Sequence, residues 1–114
     1  MEGKMKVIHG DKGAGKTIRL LELSNRTGAI IVVFDGPCGH ALFHESRKIG
    51  YKIPYPITMK EFVKGNYHSA EIKGFLFHNI DLCLKSLTDV KIDAITITTA
   101  NDRLNSELGA LSNE

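Results

Sequence analysis

Gly10-Asp11-Lys12-Gly13-Ala14-Gly15-Lys16-Thr17 fits the pattern G-x-x-x-x-G-K-[ST] of a phosphate-binding loop, and its flanks decide the fold. The apolar run Met5-Lys6-Val7-Ile8 precedes it, and Ile18-Arg19-Leu20-Leu21-Glu22-Leu23, with helical spacing, follows. A strand, a glycine-rich turn and a helix in that order aim successive backbone N–H groups inward. The positive end of the helix dipole faces the same hollow, so a polyphosphate can be held largely by main chain. Gly10, Gly13 and Gly15 permit positive φ and leave no Cβ between backbone and phosphate oxygens. Lys16 has the length to reach the β- and γ-phosphates, and the Thr17 hydroxyl suits Mg²⁺. Asp11, Lys12 and Ala14 fill the variable positions of the same nucleotide-binding set. The plain alternative is a glycine-rich turn that happens to contain Gly-Lys-Thr, and both flanks weigh against it.

Outward from the loop, residues 4–9 read as a first strand and 16–26 as a helix, with Ile18, Leu20, Leu21 and Leu23 on its apolar stripe and Gly28 at its end. Ala29-Ile30-Ile31-Val32-Val33-Phe34 is continuously apolar and rich in β-branched residues, the pattern of a parallel strand covered on both faces, with Asp35 at its C-terminal end. Gly36-Pro37 turns the chain into a second helix, 37–49, with Ala41, Leu42, Phe43 and Ile49 as core candidates and Gly50 as its stop. Two prolines make Tyr51-Lys52-Ile53-Pro54-Tyr55-Pro56-Ile57 an extended surface segment. Thr58-Met59-Lys60-Glu61 is a capping box that opens a short helix to about Lys64, anchored by Phe62 and Val63. A third strand, 72–78, a helix carrying Leu82, Leu84 and Leu87, and a fourth strand, 92–99, complete the alternation. Leu104, Leu108 and Leu111 suggest a closing helix. Such connections suit only parallel crossovers, so the expected fold is α/β, an open, mainly parallel sheet of about four strands with helices on both faces.

At 114 residues the whole chain, 1–114, is expected to be one nucleotide-binding domain. Apolar residues at 42% and charged residues at 25% are ordinary for a globular protein, and no apolar run approaches the roughly 20 residues of a membrane span. The first residues lack a signal-peptide pattern, which points to the cytoplasm. Cys38 and Cys83 form no C-x-x-C pair and read as reduced thiols, and the net charge of +2 is spread too evenly to mark a nucleic-acid arm.

With the loop, the segment 75–81 and the strand ending Thr99-Ala100-Asn101 in place, the chain resembles a minimal P-loop NTPase. More narrowly, its whole length is similar to small ATP-binding proteins encoded by bacteriophages and prophages of Gram-positive bacteria. Those proteins carry a Gly-Tyr-x-Ile-Pro-x-Pro-Ile-Thr segment, seen here as Gly50-Tyr51-Lys52-Ile53-Pro54-Tyr55-Pro56-Ile57-Thr58. The resemblance implies a three-layer sandwich, ATP and Mg²⁺ as ligands, and a host-cell cytoplasmic location. Numbering the four expected strands in chain order, it favours the sheet order 2-3-4-1, with a kinase-like order that makes strands 1 and 3 neighbours as the alternative. The polar tip Thr98-Thr99-Ala100-Asn101 is similar to the sensor strand of AAA-type ATPases, which implies that Asn101 lies near the γ-phosphate. DNA handling, common among phage P-loop proteins, enters only as a further implication.

One departure stands out. After Gly74-Phe75-Leu76-Phe77, where a Walker B segment would place one or two acids behind Mg²⁺ and the attacking water, the chain has His78 and Asn79. Neutral imidazole is a poor ligand for hard Mg²⁺. Asp81 and Asp35 are the substitute acids, and either could instead cap the following helix. Lys16, Asp81 and Asn101 are therefore the candidate catalytic residues, and Thr17 is the candidate metal ligand.

His40 and His44 share a helix face but lack a third ligand. Arg47 and Arg103 could serve as arginine fingers, and Tyr51 and Tyr55 could stack on a base, although surface or packing roles are the commoner use of each. With no guanine-reading Asn-Lys-x-Asp element, ATP is favoured over GTP. Three functions follow in order: a Mg-dependent ATPase of slow intrinsic turnover awaiting a protein or DNA partner; a nucleotide-binding module that does not hydrolyse; and a small nucleotide kinase. The kinase ranks last because 51–70, the one candidate lid, carries Lys52, Lys60 and Lys64 but no arginine.

Overall fold

The computed structural model describes residues 5, 7–8, 15–67 and 71–97. The chain divides into two units, one of Gly15–Ile92 and one of Met1–Ala14 with Asp93–Glu114. In the second of these, the described residues 5, 7–8 and 93–97 belong to no helix or strand. The expected strands 4–9 and 92–99 are thus absent from the sheet among the described residues, and the closing helix over Leu104, Leu108 and Leu111 lies outside them.

The unit Gly15–Ile92 is a small α/β domain. Its elements are α1 (Lys16–Thr27), β1 (Ile30–Val33), α2 (Gly36–Ile49), β2 (Ile57–Thr58), α3 (Met59–Lys64), β3 (Phe75–Phe77) and α4 (Ile80–Lys85). The described sheet has three strands, order β2-β1-β3, all parallel, with Val32 opposite Ile57 on one side and Phe77 on the other. It therefore has one strand fewer than the four expected, and one of its three, β2, falls where an extended surface segment was expected to run into the cap of a helix. Ile57 and Thr58 pair with Val32 and Val33 because the extended run through Pro54 and Pro56 arrives alongside an unpaired edge of β1.

β1 is the centre of the domain, and all four of its residues are buried. Side chains alternate across a strand, so Val32 and Val33 look to opposite faces. Val32 packs with Met59 of α3 and Cys83 of α4, and Phe34, Ile57, Phe62, Phe75, Phe77, Ile80 and Leu84 close around them. Phe62 meets the rings of Phe75 and Phe77 edge-on at 4.9 and 5.0 Å, the arrangement aromatic quadrupoles prefer. On the other face α2 lies so close that a Cβ on Gly39 would stand 3.2 Å from Val33 Cγ2. Both faces of the sheet are therefore covered, as the uninterrupted apolar strand requires.

The helix ends follow their sequence signals. α1, α2 and α3 each terminate on a left-handed glycine, Gly28, Gly50 and Gly65. Asp35 caps α2 by accepting the Cys38 N–H at 2.9 Å. The capping box of α3 is complete: the Thr58 hydroxyl accepts from the Glu61 N–H at 3.1 Å, and the Glu61 carboxylate accepts from the Thr58 N–H at 2.7 Å. Several core expectations need correction. Ile18, Ile49 and Val63 are 44, 40 and 60% exposed and Ala41 is exposed, whereas Met59 is buried; Cys38 and Cys83 are half-buried and buried thiols, as expected. The short helices bury only the turn that meets the sheet.

Candidate functional site

In a parallel sheet every strand delivers its C-terminal end to one edge, and the loops leaving that edge are where ligand-binding groups gather. Here that edge carries Asp35 after β1 and His78-Asn79 after β3. The His78 N–H donates to the Val32 carbonyl at 2.9 Å, extending the β1–β3 ladder by one bond and fixing the His78 backbone between the two strand ends.

α1 opens at this site. Gly15, its first flanking residue, has φ +82 and ψ 17, a left-handed conformation that a Cβ would strain, and it has no side chain of its own with which to cap the helix. Lys16 and Thr17 are half-buried on the first turn. The Lys16 ammonium bears on His78: burial first, and then the Lys16 charge, push the half-buried imidazole below its ordinary pKa of 6.5. The charge of Lys16, in the loop motif, thus bears on His78, at the end of β3. Of the eight loop residues, Gly15, Lys16 and Thr17 are described; Gly10, Asp11, Lys12, Gly13 and Ala14 lie outside the described residues, as do Asn101 and Arg103.

His78 Nε2 lies 3.3 Å from Asn79 Nδ2. In the neutral ring, the form that burial favours, Nε2 can accept from this amide NH₂ when the ring proton is on Nδ1. Asn79 has φ 56 and ψ 71, the single non-glycine residue of positive φ among the described residues, and it heads α4 without a side-chain cap. The fully buried Cys83 thiol sits beneath, 3.5 Å from the His78 carbonyl. Burial, with Cys38 and Asp81 nearby, raises its pKa to about 11. Burial and then Asp35 also raise the Cys38 thiol. The first turns of α2 and α4 therefore converge on this edge, which the spacing of two distant cysteines did not reveal.

The two substitute acids are placed differently. Asp35 is half-buried with its carboxylate engaged at the α2 N-terminus, whereas Asp81 is exposed on the first turn of α4. No cluster of three or more His, Cys, Asp or Glu side chains able to hold a metal occurs among the described residues. The donors among the described residues do not form a carboxylate-backed Mg²⁺ site.

The remaining candidates sit elsewhere. His40 and His44 stack at 5.4 Å on the exposed side of α2, with the Tyr55 hydroxyl 3.5 Å from His40 Nδ1. Arg47 lies over the Phe43 ring at 5.5 Å. A cavity of about 400 Å³ lined by Phe43, Arg47, Gly50, Tyr51, Lys52 and Ile53 lies beyond the C-terminal end of α2, away from the strand ends that carry His78. No helix among the described residues is long and apolar enough to cross a membrane.

A scan against protein-family models and searches of curated proteins and of solved structures found no match.

Proposed function

We propose that this chain is an ATP-binding P-loop protein with slow Mg-dependent hydrolysis, built on a minimal P-loop sandwich of the phage type. The observation that carries the proposal is the coincidence of the Gly10–Thr17 motif with a left-handed Gly15 opening α1 and a Lys16 whose charge is felt at the C-terminal end of β3. A polyphosphate beside Lys16 would meet the uncapped N–H groups of α1 and the ammonium together. Thr17 would supply one oxygen to Mg²⁺ held by the nucleotide, and Lys16 would balance charge on the transferring phosphoryl group.

A specific observation favours a second function, a nucleotide-responsive module that does not hydrolyse. The acid position holds a half-buried neutral imidazole, Asp35 is occupied as a helix cap, and Asp81 points from an exposed turn. The deciding experiment is Mg-ATP turnover and ATP or ADP binding by the purified protein, with Lys16→Ala and His78→Asp beside it. ATPase activity predicts turnover that Lys16→Ala abolishes. Binding without turnover, with hydrolysis gained in His78→Asp, establishes the non-hydrolysing module. Lys16→Ala should weaken nucleotide binding roughly 10- to 100-fold, the worth of a charge-assisted contact. Equal affinity in the variant and the parent refutes nucleotide binding at this loop.

A further inference from the structure

Pro54 and Pro56 hold Tyr55 against the exposed side of α2. Pro56 is buried where that helix comes closest, its Cβ 3.4 Å from the place a Cβ on Gly39 would take, and the Tyr55 ring rests on Phe43 with centres 4.9 Å apart. The Tyr55 hydroxyl thereby reaches His40, 3.5 Å from Nδ1. His44 lies one turn further along α2, and residues four apart on a helix share a face. Both histidines are exposed, and their rings stand 5.4 Å apart at a tilt of 31°. Arg47, on the next turn, is drawn over the Phe43 ring at 5.5 Å.

We propose that His40 and His44 form a site for one borderline divalent transition ion, such as Zn²⁺, and that Tyr55 is the positioning residue that presents His40 to it. An imidazole nitrogen stands about 2.0–2.1 Å from Zn²⁺ and the ring centre lies roughly 1.1 Å behind it, so two rings sharing an ion have centres about 3.2 Å from it. Centres 5.4 Å apart then subtend roughly 115° at the ion, near the tetrahedral angle that zinc adopts. The tautomer matters as well. With its proton on Nδ1, His40 donates to the Tyr55 hydroxyl oxygen and keeps the Nε2 lone pair for the metal, the arrangement in which an outer partner fixes the second nitrogen of a metal-bound imidazole. Two protein donors leave the remaining positions to water. Imidazole suits Zn²⁺, Ni²⁺ and Cu²⁺ and is a poor ligand for Mg²⁺, so this site does not draw on an ion carried by a nucleotide. It stands on α2 and Tyr55 alone, independent of nucleotide binding at the loop.

The test is Zn²⁺ titration of the purified chain, followed by calorimetry and by the histidine ring signals in NMR, with His40→Gln, His44→Gln, Tyr55→Phe and Cys38→Ser beside it. Both histidines are exposed, so neither substitution disturbs the core, and their loss assigns the two rings among the five histidines. The expected result is one ion per chain at this site and ring signals of His40 and His44 that move together. Affinity should fall about tenfold or more in either histidine variant, and about tenfold in Tyr55→Phe, as for loss of an outer partner of a metal-bound imidazole. Ring ¹⁵N shifts should place the ion on Nε2 of His40, a readout that packing of the Tyr55 ring alone would not move. Equal uptake in the parent and both histidine variants overturns the site, and loss of uptake in Cys38→Ser alone assigns the ion to a thiol and overturns it too. An ion on Nδ1 of His40, or Tyr55→Phe binding as tightly as the parent, overturns the positioning role of Tyr55. No uptake at millimolar Zn²⁺ overturns both.

Discussion

Replacing Thr58 with alanine removes one half of a reciprocal cap and tests how the third helix is held on the sheet. Thr58 ends β2, opposite Val33, and is also the N-cap of α3. Its hydroxyl accepts the Glu61 N–H at 3.1 Å, while Glu61 Oε1 accepts the Thr58 N–H at 2.7 Å. With six residues, α3 is far too short to persist without tertiary support, so whatever loosens its first turn also loosens Met59 and Phe62 on the Val32 face. An N-cap threonine contributes about 1 kcal/mol, within a range of roughly 0.5–2. For a domain of this size that loss lowers Tm by about 4–8 °C. The assay is urea unfolding followed by far-UV circular dichroism for Thr58→Ala, Glu61→Ala, the double variant and Thr58→Ser. The cap predicts a lower midpoint at unchanged m, a double variant less destabilised than the sum of the singles, and Thr58→Ser close to the parent. Strict additivity, or a serine variant as unstable as the alanine variant, refutes the cap and leaves the strand propensity of Thr58 as the cause.

Gly39→Ala should lower the free energy of unfolding by about 1 kcal/mol, and the urea midpoint with it, because the cost of overpacking exceeds the helix propensity gained. The new methyl would meet Val33 Cγ2 at 3.2 Å and Pro56 Cβ at 3.4 Å, and Val33 is fully buried with no room to give; an unchanged or higher midpoint refutes the close approach of α2 to β1. Cys83, held up to about 11 against an ordinary 9.0, keeps its proton in the native state at pH values where the unfolded chain has lost it, so its contribution is complete below pH 9 and declines as pH rises toward 11. Unfolding measured across that interval should show falling stability, with a shallower fall in Cys83→Ala; the slope that remains belongs in part to Cys38, whose thiol is raised in the same sense.

What the sequence made legible was local. Gly28, Asp35, Gly50 and the Thr58–Glu61 box marked helix ends at the residues where they occur, because each signal acts within a few residues of itself. The run 29–34 announced a doubly covered strand because no other element tolerates four consecutive buried β-branched residues so well. β2 was not legible, since two residues following two prolines carry no periodicity and become a strand only through pairing with Val32 and Val33. The buried side of the short helices was equally hidden. Apolarity alone chose Val63, whereas the position of the sheet chose Met59, and Cys83 outranked the neighbouring leucines because the first turn of α4 lies over Val32. In the site, the loop motif could be read residue by residue, but the influence of Lys16 on His78 arises from the packing of α1 and β3 around β1.

That influence bears on the nucleotide-binding function proposed above. An acid at the end of β3 would make this edge a place for a cation, with Lys16 as the counter-charge to its carboxylate. With His78 there instead, and Asp35 committed to the Cys38 N–H, the proposed phosphate site would rest on the Lys16 ammonium and the N-terminus of α1. A divalent ion would then enter with the nucleotide and be held mainly by its phosphates. Binding should survive removal of Mg²⁺ far better than turnover does, because electrostatic attraction needs only the polyanion, whereas phosphoryl transfer also needs its developing charge neutralised. ATP titrations in Mg²⁺ and in excess chelator separate the two: an affinity that collapses with the chelator would mean that the metal, rather than Lys16 and the N-terminus of α1, holds the phosphates.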